Sequence, residues 1–445
     1  MNQTEVKINM KDNNTVGRAR LAAFFDADTF VELGAYVKRP GTDHAEGVIC
    51  GYGALDGRLV FAFAQDSTGM KGALDGRHAD KIVATYEKAL SVGAPIVGFF
   101  DCAGAVVFDG ADALAGYGKL LAAASRASGA IPQIAVISGT CAGTMAAVAS
   151  LCDLTVVVEG KSRLYVNSPS LVGEEVGSAA FAMANGNAAV SVTNEEGAFA
   201  AVRGILSYLP DCAEGAAPAA DLDDLNRACA IGDRASAAEA LAATVDAGVM
   251  MPLFAGMAEN VNAGLAFIGG VSCVVLGIDG ALTLAGVEKM TRLCDFADSF
   301  ALPVVSFVNC EGIDVDAAAE PRMAAALATL ASVMANADNA RVTALVGQAI
   351  GAGFLFGGAR RLGADVVYAL PAAEVATMSA SAGVAFLWTD RITTEVTREA
   401  LEAEWRSEVA SPVNAAATGE IDDIVDGAEL RARVIAALFM LADKE

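Results

Sequence analysis

Short apolar runs closed by small residues recur along this chain. Ile96-Val97-Gly98-Phe99-Phe100 is one, and its unbroken hydrophobicity predicts a strand buried on both faces. Asp101-Cys102-Ala103-Gly104-Ala105 follows at once as a glycine turn. A second run, Ile134-Ala135-Val136-Ile137, ends in Gly139-Thr140-Cys141-Ala142-Gly143. That turn passes directly into Thr144-Met145-Ala146-Ala147-Val148-Ala149, which predicts a helix. Amides at a helix start have no acceptor within the helix and favour a negatively charged oxygen. Two such turns side by side would make an oxyanion hole.

The pattern occurs twice. Lys81, Pro95, Cys102, Gly104 and Gly143 recur 208 positions later as Lys289, Pro303, Cys310, Gly312 and Gly351, and Asp101 meets Asn309. Each half reads helix, proline, buried strand, glycine turn, helix, buried strand, glycine turn, helix. The second-half strands are Val304-Val305-Ser306-Phe307-Val308 and Val342-Thr343-Ala344-Leu345-Val346. Their second turn, Gln348-Ala349-Ile350-Gly351-Ala352-Gly353, leads into Phe354-Leu355-Phe356. Glycine turns after strands are common in α/β proteins. A register kept over this length points instead to duplication of a whole domain.

Around these elements, residues 1 to about 16 are polar and expected to fray. Val16 to Phe25 predicts a short helix, and Gly47 to Ala64 a hairpin turning at Asp56-Gly57. Ala79 to Ser91 has helical periodicity at Ile82, Tyr86 and Ala89. Pro210 to Leu225 reads as a linker, so the expected domains are 1–225 and 226–445. A long helical stretch, Thr393 to Arg406, and a terminal helix, Gly427 to Lys444, close the second.

Composition narrows the picture. A chain of 445 residues that is 54% hydrophobic and 19% charged suits large sheets covered by small-residue helices. The apolar stretch from Val261 to Val287 contains Asn262, Gly269, Gly270, Asp279 and Gly280, and reads as buried strands rather than a membrane span. No signal-peptide pattern opens the chain. Nine cysteines without a CxxC pair, and two histidines (His44 and His78), indicate neither a zinc site nor a disulfide framework. A cytoplasmic location fits that thiol usage. The net charge of −24 argues against nucleic acid. A polyanionic ligand then needs a local basic patch, for which Lys71, Arg77, His78 and Lys81 are the candidates. An ordinary solvated surface explains those four equally well.

Several stretches, taken in order, resemble the carboxyltransferase family of biotin-dependent carboxylases and decarboxylases. Gln65-Asp66 through Gly76 and His78-Ala79-Asp80-Lys81-Ile82 resembles the family's QDFTV…GG…HAxKI. Asp101 to Gly110 resembles DSGGARIQEG. Leu114-Ala115-Gly116-Tyr117-Gly118 and Ala127 to Ile134 are similar to LAGYG and ASGVIPQI, and Cys141-Ala142-Gly143 to PCAGG. Leu362 to Ala369, with Pro371, Ala373, Glu374 and Val375, is similar to LGADVVYAWPTAEI. The chain departs from the pattern at Ser67, Cys102-Ala103, Val106, Thr144 and Glu311-Gly312-Ile313, and lacks the family's IIRHG run.

The resemblance implies an α/β fold of tandem crotonase-like domains, each a ββα superhelix. It implies a homo-oligomer, a hexamer built as a trimer of dimers, with the site where the N-domain of one subunit meets the C-domain of another. Coenzyme A thioester would bind the first domain. Biotin, carried by a separate biotin carboxyl carrier protein, would bind the second. Biotin carboxylase or a membrane decarboxylase pump subunit would be further partners, without direct membrane insertion. The chemistry forms a thioester enolate and a ureido oxygen bearing negative charge, both of which backbone amides can hold. Ala105, Thr144 and Met145 would serve the enolate. Ile313, Ala352 and Gly353 would serve the ureido oxygen. Gly104, Gly143, Gly312 and Gly351 would let the backbone come close, and Leu355 either lines the acyl pocket or packs in the core. No metal is expected.

Other chemistries remain weighed against this one. Gly351-Ala352-Gly353 lacks the third glycine of a dinucleotide fingerprint. Thiol catalysis by Cys102, Cys141 or Cys310 lacks a paired histidine. A crotonase-type hydratase or decarboxylase that does not use biotin would need acids such as Asp109, Asp112, Glu174 or Glu175 near the hole. A non-catalytic crotonase-fold scaffold is the reading from a different class.

Overall fold

A computed structural model describes residues 15–38, 46–233 and 235–444; the first fourteen residues and His44 lie outside the described residues. The chain divides into two compact units, Met1–Ala216 and Ala217–Glu445. The division therefore falls ahead of the expected boundary after Leu225. Ala219 bridges to Val271, and the carbonyls of Asp224 and Leu225 accept from the Arg431 guanidinium, so this stretch is built into the second unit.

The strands of unit 1 are β1 (Val31–Leu33), β2 (Val48–Leu55), β3 (Arg58–Gln65), β4 (Ile96–Cys102), β5 (Gln133–Ala142), β6 (Leu154–Val158), β7 (Arg163–Tyr165) and β8 (Val190–Val192). They form one sheet ordered β1-β2-β3-β4-β5-β6-β8, with β7 beside the end of β5. β1 to β3 are antiparallel, and pairing is parallel from β3 onward. Its helices are α1 (Val16–Phe24), α2 (Gly76–Val92), α3 (Ala111–Ala127), α4 (Thr144–Ala149), α5 (Pro169–Val172), α6 (Ala179–Ala184) and α7 (Glu195–Leu206).

β4 shows why its sequence is continuously apolar. Phe99 meets Phe24 and Phe199 edge-on, while Phe100 meets Phe63, which in turn contacts Tyr86. Both faces of the sheet are thus covered, as parallel sheets require. α2 starts where Asp75 accepts the His78 amide at 2.8 Å and stops at the left-handed Gly93. It buries Ile82, Tyr86 and Ala89, the positions that carried its periodicity.

Unit 2 repeats the plan with β9 (Met250–Pro252), β10 (Val261–Ile268), β11 (Val271–Leu282), β12 (Val304–Ile313), β13 (Arg341–Ile350), β14 (Val366–Ala369), β15 (Glu374–Ala376) and β16 (Asp423–Ile424). The order is β16-β14-β13-β12-β11-β10-β9, with β15 beside β13. Its helices are α8 (Ala237–Thr244), α9 (Leu284–Ser299), α10 (Glu320–Asn336), α11 (Ala352–Gly358), α12 (Ala380–Leu387), α13 (Arg398–Glu408), α14 (Pro412–Ala417) and α15 (Leu430–Met440). The apolar stretch after Val261 is a hairpin turned by Gly269 and Gly270, both at positive φ. Among the described residues no helix is long and apolar enough to cross a membrane.

Two helices differ from expectation. α13 begins at Arg398, because Thr397 caps it by accepting the Ala400 amide, and the residues from Thr393 form turns. The terminal helix begins at Leu430 rather than Gly427: the Gly427 Cα packs so closely on the Ile231 carbonyl that no side chain fits there.

Candidate active site

The two glycine turns of unit 1 come together through the register of β4 and β5. Cys102 pairs with Cys141 after an irregularity in the ladder. Beyond it the chain leaves β4 through Gly104, at φ 130°, and Ala105. Val106 donates its amide to the Leu74 carbonyl at 2.9 Å, and Leu74 donates to the Gly104 carbonyl at 2.9 Å. That alternation leaves the Ala105 amide facing the other way. β5 leaves through Gly143, at φ 63° and ψ −134°, whose amide is held by the Tyr165 carbonyl at 2.9 Å. α4 starts immediately, so the amides of Thr144 and Met145 have no acceptor among the described residues.

Unit 2 reproduces this arrangement 208 positions on. Cys310 pairs with Ala349, and Asp314 donates to the Leu282 carbonyl at 2.9 Å. Gly312 has φ 127°. Gly351 has φ 55° and ψ −123°, and its amide meets the Ala376 carbonyl at 2.8 Å. The amide of Ile313 points away from β11, and those of Ala352 and Gly353 open α11 without acceptors among the described residues. A Cβ on Gly353 would come within 3.0 Å of the Gly312 amide nitrogen, so the helix start lies against the first turn. A cavity of about 370 Å³ lies further along the chain from the first turn, lined by Thr283, Glu288, Asp314 and Arg322 and not by the amide-bearing residues.

The remaining predicted residues divide. Leu355 is 47% exposed, so it is not core in this unit. Lys81 and His78 are buried, and Lys81 lines a cavity of about 360 Å³ together with Arg77 and Lys88. Lys81 Nζ donates to the Val48 carbonyl at 2.6 Å, and the His78 ring lies 3.3 Å from Gln65 Nε2 and 4.0 Å from the Glu46 carboxylate. Lys71 and Arg77 do reach solvent, with Arg77 donating to the Lys38 carbonyl.

Thiol chemistry is disfavoured. Cys102, Cys141 and Cys310 are buried, and burial pushes each thiol up, so the nucleophilic thiolate is suppressed. Of the nine free cysteines, Cys212 is partly exposed and the others are buried. Asp109, Asp112, Glu174 and Glu175 are all exposed loop or helix-end acids. Among the described residues no cluster of His, Cys, Asp or Glu could hold a metal ion.

Sequence reasoning missed the side chains behind the turns. Asp101 Oδ1 accepts the Thr140 amide at 3.1 Å, and Asn309 Oδ1 accepts the Gln348 amide at 2.9 Å. Gly139 and Gly347 are obligatory beside them, since a Cβ at either would overlap the Asp101 or Asn309 side chain. On the third strand, Gln65 Oε1 accepts the Asp101 amide at 3.1 Å, and Gln65 Nε2 lies 4.0 Å from Met145 Sδ. The 208 offset was the available signal, for it also maps Leu74 to Leu282, Gly139 to Gly347 and Thr140 to Gln348.

Residues 9–445 match the family described as "Carboxyl transferase domain". The chain belongs to this carboxyl transferase family. It is 33% identical to methylmalonyl-CoA decarboxylase subunit alpha of Veillonella parvula, across 96% of this chain and 90% of that relative. It is 31% identical to the carboxyltransferase subunit of propionyl-CoA carboxylase from Haloferax mediterranei, with the same coverage of both. Among solved structures, a transcarboxylase 12S hexamer with methylmalonyl-coenzyme A bound is 29% identical and superposes with a TM-score of 0.88, covering 99% of this chain and 91% of that one. The two α/β units are therefore the tandem crotonase-type domains of carboxyl transferases.

Proposed function

We propose that this chain transfers a carboxyl group between biotin on a separate carrier protein and a short-chain acyl-CoA of the propionyl or methylmalonyl type. The observation that carries this reading is the duplicated set of acceptor-free amides, in one register, within a chain similar end to end to acyl-CoA carboxyltransferase and decarboxylase subunits. Unit 1 holds the thioester: the amides of Ala105, Thr144 and Met145 stabilise the enolate oxygen that forms as the α-carbon loses or gains its carboxyl group. Unit 2 fits a ureido oxygen: it offers the amides of Ile313, Ala352 and Gly353, with no room for a Cβ at Gly353. Bound biotin supplies the carboxyl carrier and, once decarboxylated, the base.

No side-chain nucleophile is needed, which agrees with the protonated, buried thiols. Preorganised amides act by stabilising charge, and removing one such donor costs about 10²–10³ in turnover. Gly104, Gly143, Gly312 and Gly351 shape the turns that aim them. Leu355, exposed beside the second turn, lines the acyl pocket. The chain works as a homo-oligomer, as the hexameric 12S relative does, in the cytoplasm with a biotin carboxyl carrier protein.

The test is decarboxylation of malonyl-CoA or methylmalonyl-CoA by the full chain in the presence of free biotin. Biotin-dependent release of CO2, with the malonyl-type thioester converted to the corresponding acetyl- or propionyl-CoA, supports the reading. Absence of turnover with every short malonyl-type thioester, alongside normal assembly with a biotin carrier, supports the scaffold. A thermal-shift panel of CoA thioesters names the substrate, because a ligand bound by the native state raises the melting temperature by mass action.

A further inference from the structure

The two halves differ at a half-buried point behind their turns. Asp101 in unit 1 and Asn309 in unit 2 occupy the same register, and each accepts a β-strand amide across the sheet. Asn309 does more. Its Nδ2 donates to Asp279 Oδ1 at 2.9 Å, on β11. Asp279 in turn accepts the first two amides of α8, from Ala237 at 2.9 Å and Ala238 at 3.1 Å. One chain of hydrogen bonds thus runs from the start of α8 through Asp279 and Asn309 to Gln348. Gln348 opens the turn that ends in Ala352 and Gly353, while Asn309 itself precedes Glu311-Gly312-Ile313.

We infer that Asn309 and Asp279 are a positioning pair that fixes the spacing between the two turns of the biotin-side amide set. Neither side chain touches the reacting atoms. Asn309 is suited to this because it accepts with one atom and donates with the other, tying β13 to β11 across β12. An aspartate there keeps the bond to Gln348 but faces the Asp279 carboxylate without a proton between them. Like charges in a half-buried site repel, and the second turn shifts relative to the first. In unit 1 the contact from β3 to Asp101 is of another kind: Gln65 accepts from the Asp101 backbone amide.

The inference rests on the carboxyl-transfer reading for its kinetic arm and on structure alone for the other. In the full chain, Asn309→Asp is expected to lower kcat for biotin-dependent decarboxylation by roughly tenfold or more, the usual weight of a hydrogen bond to a charged group. KM for the acyl-CoA should stay within about twofold, because the thioester sits on unit 1. The swap Asp279→Asn with Asn309→Asp restores a donor and an acceptor and is expected to recover most of the lost turnover. It falls short of wild type because a carboxamide at position 279 has a single acceptor oxygen for the α8 amides. Amide hydrogen exchange over residues 348–353 gives the second readout: faster in Asn309→Asp, slowed again in the swap. Unchanged exchange in Asn309→Asp, or a folded swap that recovers neither exchange nor turnover, overturns the pairing. Wild-type protein without biotin-dependent turnover overturns the functional reading instead, and the exchange result still decides the pairing.

Discussion

Gly143 and Gly351 hold backbone angles that side chains rarely adopt, and each is the hinge between a strand and the helix whose first amides are exposed. An alanine at such a position costs about 1–3 kcal/mol in strain and turns the following amides away. Gly351→Ala is expected to lower biotin-dependent decarboxylation at least tenfold while the thermal shift given by the acyl-CoA survives. Gly143→Ala is expected to lose both. Equal loss of the thioester shift in the two variants would contradict the division of labour between the units. These glycines were legible in the sequence because they sit in fixed register with Cys102, Cys310 and the buried strands. The side chains behind them were not. Asp101 and Asn309 look like ordinary turn residues until the cross-strand amides of Thr140 and Gln348 are seen to depend on them.

At the scale of elements, α2 and α9 each bury a lysine at equivalent positions. Burial without a carboxylate partner is costly for a cation, and it lowers Lys289 to about 8 from an ordinary 10.5. Its Nζ donates to the carbonyls of Met257 and Val261, at 3.1 and 2.6 Å, which ties α9 to β10. Below pH 8 the folded and unfolded chains both carry the proton, so the cost of the buried cation is fully present. Between pH 8 and 10.5 the unfolded chain alone keeps it, and stability rises with pH. The melting temperature of wild type relative to Lys289→Met should therefore climb across that window, and a flat difference would refute the shift. Elements were read well where apolar runs and helical periodicity were strong, as at β4, β5 and α2. They were misplaced where a cap or a close backbone contact sets the boundary, as at Thr397 and Gly427. The burial of His78 and Lys81 was not legible because charge in a sequence says nothing of depth. In the fold their polar ends meet a carbonyl and an amide inside unit 1.

At the scale of the whole molecule, unit 2 is closed by Arg431 of α15. The guanidinium is fully buried, pairs with Asp246 at 2.7 Å and donates to the carbonyls of Asp224, Leu225 and Thr244. Asp246 also receives the amides of Gly269 and Gly270 at the β10–β11 turn. Breaking one side of such a pair strands a charge and costs about 3–5 kcal/mol. Arg431→Met is expected to lower the unfolding transition of unit 2 in calorimetry and to expose residues 217–225 to proteases, with unit 1 unaffected. The duplication was visible from spacing alone. The contact of Asp224 and Leu225 with Arg431 was not, because a linker-like composition gives no hint that a distant arginine holds it. The distribution of cysteines has a practical corollary: Cys212 is the one cysteine that is not buried, and although it packs partly against the core of unit 1 it is where a maleimide dye is expected to react first. Native protein should take up a single equivalent and denatured protein nine, so the wild-type chain already carries a site-specific labelling handle near the end of its first unit.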